Sequence, residues 1–183
     1  MDYNGSITKP SNNLRPVTAI AKADAAVSLL LRLQEQNLEA LLVRRVENPN
    51  DLWSGQMALP GGKRDPKDHC LKQTAIRETL EETSIDLTHR CRFLGALRII
   101  RSEQKPDMKI LPLVIFLEHN PSIRLNEELV LALWISIDEL IRNRKTVMVG
   151  HRKVHAFLVK DACIWGLTYR ILSDFLEIVR KME

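Results

Sequence analysis

Apolar residues along this chain come in short runs broken by polar turns. From Ala25, "AAVSLLLRL" and "LEALLVRRV" are separated by the polar "QEQN", which predicts a hairpin of two mostly buried strands. The next segment, "VENPNDLWSGQMALPGGKRDPKDH", is dense in Gly, Pro, Asn and Asp. It predicts a long loop with one short strand at "QMAL", and loops of that length are usually functional or disordered. Between Leu71 and Glu82, the apolar positions Leu71, Ala75, Ile76 and Leu80 fall near helical spacing and predict a helix of about three turns. "RFLGALRII", "ILPLVIFLE" and "LVLALWI" then read as strands. "SIDELIRN" reads as a short helix capped by Ser136, with Glu139 completing a capping box. Finally, "IWGLTYRILSDFLEIVRKM" puts Ile164, Leu167, Ile171, Phe175 and Ile178 on one face of a closing amphipathic helix. Strands, a central helix, more strands and a terminal helix predict an α+β fold with sandwich-like α/β/α layers, without regular βαβ alternation.

Residues 1–16, "MDYNGSITKPSNNLRP", are too polar and broken to nucleate a core, so they are expected to form a tail or edge strap on a domain spanning 17–183. A chain of 183 residues with 45% apolar and 27% charged residues fits one globular domain and excludes wholesale disorder. No run approaches the roughly 20 apolar residues of a membrane helix, and the start has no apolar signal-peptide core, so a cytoplasmic protein is expected. Cys70, Cys91 and Cys163 form no C-x-x-C pair; they suggest neither a zinc site nor a disulfide framework and are expected to be reduced and buried. The net charge of +4, without a dense basic block, argues for a mildly basic surface over a nucleic-acid partner. A small phosphate-bearing substrate is a further use for the surplus charge.

The chemistry concentrates in "RETLEETSI". At about 100° per residue, Glu78 and Glu82 lie nearly above one another on a helix, with Glu81 beside them. Like charges at these spacings repel by a few tenths of a kcal/mol each, and no lysine or arginine follows Glu82 at i+4 to offset them. A hard divalent cation would compensate, since Mg²⁺ takes oxygen ligands and commonly bridges one or two carboxylates to substrate phosphates. Arg77, four residues before Glu81, is spaced to pair with it and fix a carboxylate rotamer. Pro60, Gly61 and Gly62 supply a bend where bare backbone can approach a metal or phosphate.

"GGKRDPKDHCLKQTAIRETLEETSI" resembles the Nudix box, with Arg77, Glu78, Glu81, Glu82 and Ile85 at the family's spacing. The stretch from Gly62 to Arg77 is one residue longer than the common pattern, the upstream acid falls on Asp68 or His69, and Thr79 and Ser84 replace an apolar residue and a glycine. The longer spacing with "GGKRDP" is similar to the coenzyme A pyrophosphatases. So is the preceding "LLVRRVENPNDLWSGQMALPGG", which carries Leu41, Leu42, Arg45, Gly55 and Leu59-Pro60-Gly61-Gly62 at motif positions. There Val46 replaces a serine, and a second arginine would fall near Asn50 or Asp51.

This resemblance implies a Nudix fold with a mixed sheet and a loop-helix-loop site, and hydrolysis of a nucleoside diphosphate derivative with Mg²⁺ or Mn²⁺. It makes Glu78, Glu81 and Glu82 metal ligands, joined by the carbonyl of Gly62. It leaves the general base open between the box and a later loop, where Glu128 and its neighbour Glu127 precede Trp134. Arg44 or Arg45, together with Gly61, Lys63 and Arg64, is expected to meet phosphate; Trp53 and Met57 in the loop are expected to cap the core, with contact to an adenine or a pantetheine arm as the alternative. The implied substrate is coenzyme A or an acyl form, giving 4′-phosphopantetheine and 3′,5′-ADP. The other readings are a Nudix hydrolase for ADP-ribose, NADH, dinucleoside polyphosphates or a nucleoside triphosphate, and a non-catalytic nucleotide- or RNA-binding regulator, which the complete set of carboxylates disfavours. The resemblance also leaves room for a homodimer.

Overall fold

A computed structural model of the chain describes residues 14–17 and 22–181. Strands β1 (Ala25–Gln34) and β2 (Asn37–Arg45) form the expected hairpin, paired from Leu31↔Ala40 to Gln34↔Asn37. Its turn residues Glu35 and Gln36 both have positive φ, 48° and 69°, the geometry whose twist matches a two-residue hairpin. Beyond these four pairs the strands part. Into the gap come β3 (Met57–Ala58), which pairs with β2 at Val43 and Arg44, and β4 (Gly61–Lys63), which pairs with β1 at Ala25, Ala26 and Val27.

The chain continues through α1 (Leu71–Thr83), β5 (Cys91–Ala96), β6 (Ile100–Arg101), β7 (Lys109–Leu117), β8 (Leu129–Ser136) and α2 (Ile137–Arg142). It ends with β9 (Arg144–Val149), β10 (Arg152–Val159), β11 (Ala162–Trp165) and α3 (Gly166–Arg180). β7 runs parallel to β1 and antiparallel to β5 and β6, while β8 lies antiparallel to β2, so the sheet is mixed. Strand alternation divides the core. Ala26, Leu30, Leu41, Leu113 and Ile115 meet Leu71 and Ala75 of α1 on one face. Leu29, Leu42, Val114 and Phe116 on the other face meet Phe157, Ile171 and Phe175 of β10 and α3. Helix, sheet and helix are therefore layered as expected. α2 carries the expected capping box on Ser136 and Glu139.

Four expectations are corrected. Leu80 is 46% exposed, while Thr74, Thr79, Glu82 and Thr83 are buried. The inner face of α1 is polar because the sheet answers it: the Thr79 hydroxyl donates to Ser28 Oγ at 2.8 Å, and Thr83 Oγ1 donates to the Thr79 carbonyl at 2.6 Å. Ile164 belongs to β11, because Gly166, with φ 63°, breaks the chain direction before α3 begins. The three-stranded sheet of β9, β10 and β11 was not anticipated; much of β9 and the start of β10 are exposed, so their apolar pattern is weak. Cys70 is exposed before α1, and Cys91 and Cys163 are only half-buried.

The predicted tail falls mainly outside the described residues. Within it, Arg15 exchanges backbone hydrogen bonds of 2.9 and 2.8 Å with Ala96. Among the described residues no helix is long and apolar enough to cross a membrane.

Candidate active site

Two glycines and one helix face build the site. Gly61 has φ 144°, and a side chain there would collide with the Ala26 carbonyl, so the β1–β4 pairing admits only glycine. The Gly61 N–H points across to α1 and donates to Glu82 Oε2 at 2.8 Å. The next residue, Gly62, lies against the Glu78 carboxylate; a Cβ there would sit 2.5 Å from the carboxyl carbon. The expected ladder thus stands directly over the glycine backbone.

Arg77 ties this arrangement together. Its guanidinium pairs with Asp68 at 2.9 Å, Glu78 at 2.9 Å and Glu81 at 3.2 Å, and also donates to the Lys63 carbonyl at 3.1 Å. It joins the loop, β4 and α1 in one network. The buried Asp68 is held down to about 2, chiefly by the hydrogen bond from Arg77, and the Arg77 guanidinium is pushed up in turn. Glu78 is raised by burial, opposed by Arg77. Glu82, 5% exposed, is pushed up to about 7, first by burial and then by the charges of Glu78 and Glu128, against the Gly61 hydrogen bond.

α1 stops at Ser84, whose φ of 61° is left-handed and whose N–H returns to the Leu80 carbonyl. The segment before β8 caps that end: Arg124 N–H donates to the Thr83 carbonyl and Asn126 N–H to the Glu82 carbonyl. Glu128 is thereby brought to the site. Its carboxylate lies 3.7 Å from Arg45, which Asp51 holds at 2.7 Å. Asp51 also accepts the Trp53 N–H at 3.0 Å, so one carboxylate orients the arginine and shapes the loop.

Glu78, Glu82, Glu128, Arg45, Gly61, Gly62 and Lys63 line one cavity of about 490 Å³. The rest of its lining is largely apolar, with Val27, Val43, Met57, Leu59, Ile110, Leu129 and Leu167. Trp53 lines it as well. Three expected residues lie elsewhere. Glu81 is half-exposed on Arg77 and outside the cavity wall. Arg64 donates to the carbonyls of Asp68 and His69, and Arg44 points to a separate pocket beside Lys160 and Asp161. The strand alternation that separates Arg44 from Arg45 leaves one arginine for the cavity.

Sequence reasoning missed Asp51 as the partner of Arg45, and most of the apolar wall. Nothing in local spacing links Val43, Ile110 and Leu167, which meet only through the fold.

A divalent cation fits the donor set. The charges of Glu78 and Glu128 raise the cost of ionising Glu82, all three carboxylates face a cavity whose floor is glycine backbone, and a hard cation would relieve that repulsion. Among the described residues no three acidic, histidine or cysteine side chains form a ready-made cage. Such a site is completed by water and substrate oxygens, as Mg²⁺ commonly is.

The NUDIX domain model matches residues 22–158, which take in the glycine pair, the whole of α1 and Glu128. The chain belongs to the Nudix family. An uncharacterized protein of Schizosaccharomyces pombe, C14C4.10c, is 44% identical over 107 residues, covering 55% of this chain and 32% of that protein. This chain therefore spans about a third of that relative's length. The Nudix hydrolase NudL of Yersinia enterocolitica, also uncharacterized, is 34% identical over 147 residues, covering 76% of this chain and 73% of that one. Among solved structures, the Nudix hydrolase RenU of M. smegmatis superimposes with a TM-score of 0.63 at 14% identity, over 94% of this chain and 98% of that one. At that identity the likeness speaks for the Nudix fold alone.

Proposed function

We propose that this Nudix protein hydrolyses the pyrophosphate bond of coenzyme A or its acyl forms, releasing 4′-phosphopantetheine, or its acyl form, and 3′,5′-ADP. The observation that carries the reading is the cavity's mixed lining. Carboxylates, Arg45 and Lys63 share it with a larger set of apolar side chains. A diphosphate with a slender, largely apolar arm suits both kinds of lining at once.

In this reading Glu78, Glu82 and the Gly62 carbonyl would hold Mg²⁺ or Mn²⁺, with Glu81 supporting them from the other side of Arg77. Such a cation would supply neutralisation of phosphate charge and a better water nucleophile. Arg77 fixes the rotamers of Glu78 and Glu81. Arg45, oriented by Asp51, and Lys63 take phosphate oxygens. Water adds to one phosphorus, the P–O–P bond breaks, and each half leaves as a phosphomonoester. The proton of the attacking water passes to Glu128, the carboxylate at the open side of the cavity, whose side chain is 59% exposed.

The test is product analysis by liquid chromatography and mass spectrometry after incubation with Mg²⁺ or Mn²⁺ and a mixture of coenzyme A, acetyl-coenzyme A, ADP-ribose, NADH and diadenosine polyphosphates. Phosphopantetheine and 3′,5′-ADP are expected to form fastest. Cleavage only of the other compounds would overturn the substrate, and no cleavage of any would overturn the enzymatic reading.

A further inference from the structure

Beside the carboxylate cavity lies a second chamber of about 360 Å³, framed by the loop before β3, the β6–β7 loop, the β9–β10 hairpin and the start of α3. Trp53, Gln56 and Leu167 line both spaces, so the two adjoin through a shared wall. The chamber's own lining differs in chemistry. It has a second indole, Trp165, with Leu52, Val149 and Val154, and at 58% exposure Leu52 is a large apolar side chain left open to solvent. No carboxylate of α1 reaches it.

Its charge is equally specific. Glu103 is on the lining but lies 3.6 Å from Arg170, so its charge is already answered. Arg152, exposed on β10, makes no ion pair or side-chain hydrogen bond with the described residues. The chamber therefore offers two indoles, which suit the flat face of a base, and one uncommitted guanidinium, which suits a phosphomonoester. Ser102 and Gln104 add polar groups at the β6–β7 loop.

We propose that this chamber binds the purine nucleotide half of the substrate, with the base against Trp53 and Trp165 and a phosphate on its ribose at Arg152. This rests on the coenzyme A reading for the identity of the whole substrate. The diphosphate then crosses from one space to the other past Trp53, and the arm lies along the apolar wall of the first.

The test uses the free nucleotide, so it does not depend on turnover. Titration of the whole protein with 3′,5′-ADP, followed by tryptophan fluorescence and calorimetry, should show quenching and tighter binding than 5′-AMP, which lacks the ribose phosphate. Arg152→Ala, at an exposed position that leaves the fold intact, should weaken 3′,5′-ADP about tenfold, the range of a lost hydrogen bond to a charged group, and leave 5′-AMP unchanged. Trp165→Leu should weaken both. With coenzyme A as substrate, Arg152→Ala should raise KM about tenfold at constant kcat. Equal affinity of wild type for the two nucleotides, or an Arg152→Ala effect on both alike, would overturn the proposal even where coenzyme A is cleaved. If coenzyme A is not cleaved, the substrate reading falls, while an Arg152-dependent preference for 3′,5′-ADP would still uphold the chamber.

Discussion

Gly62 lies against the carboxylate of Glu78, so close that a methyl group on it would meet all three carboxyl heavy atoms at 2.5 to 2.6 Å. The obstacle is the far end of a flexible side chain, which can swing away at little cost to folding. Gly62→Ala should therefore keep its melting temperature within a few degrees and lose at least tenfold in kcat, because Glu78 is displaced. Gly61→Ala meets backbone instead and needs φ 144°, so it should lower the melting temperature clearly. Thermal scans and turnover of both variants check the contrast; equal melting losses would contradict it.

Glu82 links the site to pH. Its carboxyl takes up protons near pH 7 in the fold and nearer 4.5 in the unfolded chain, so between those values the folded state holds more protons. This group's contribution to stability is therefore fullest below about pH 4.5 and declines as pH rises through 7, by at most about 3 kcal/mol. Urea unfolding of metal-free protein at pH 5 and 7.5 should show that decline, and Glu82→Gln should flatten it. The same variant should fold normally, since its amide oxygen can still accept the Gly61 N–H, yet lose most turnover.

Divalent cation should work against that decline. Mg²⁺ or Mn²⁺ binding only the folded state raises the melting temperature by mass action, more at pH 8 than at pH 5, where Glu82 is protonated. A chelator should abolish both the shift and hydrolysis. A shift of the same size in Glu82→Gln would remove Glu82 from the metal site.

Asp68 acts in the opposite direction to Glu82. Held down to about 2 by Arg77, it contributes stability that is full above its ordinary value near 4 and is lost as pH falls through 2, at most about 2 kcal/mol. Asp68→Asn should lower stability above about pH 4, flatten the decline toward pH 2 and loosen Arg77. Arg77→Ala should cost roughly 10- to 100-fold in activity, the range for groups that orient metal ligands. Steady-state kinetics beside acid unfolding curves would check both.

Glu128 is exposed enough to be replaced without structural cost. Glu128→Gln should leave the melting temperature unchanged and lower kcat at least tenfold, with KM little altered. Full kcat in this variant would remove it as proton acceptor.

Much of this was legible because it is local. The β1–β2 hairpin, the capping box on Ser136 and Glu139 and the α1 carboxylates announce themselves within a few residues. Leu80 misled because apolar spacing cannot say that a helix will turn threonines inward toward Ser28. Arg44 and Arg45 were separable only in part: alternation predicts that one faces the site, while the choice of Arg45 comes from Asp51 and Glu128. The second sheet escaped notice because β9 buries so little of itself.

The parting of β1 and β2 after four paired positions gives the proposed hydrolysis and the proposed recognition different foundations. The glycine floor and its helix are anchored to the middle of the sheet, whereas Trp53 and the β6–β7 loop sit on outlying connections and Arg152 at the exposed start of β10. Mutation can therefore remodel what is gripped while the cutting frame stays as it is, so one fold can drift between substrates without reinventing its reaction.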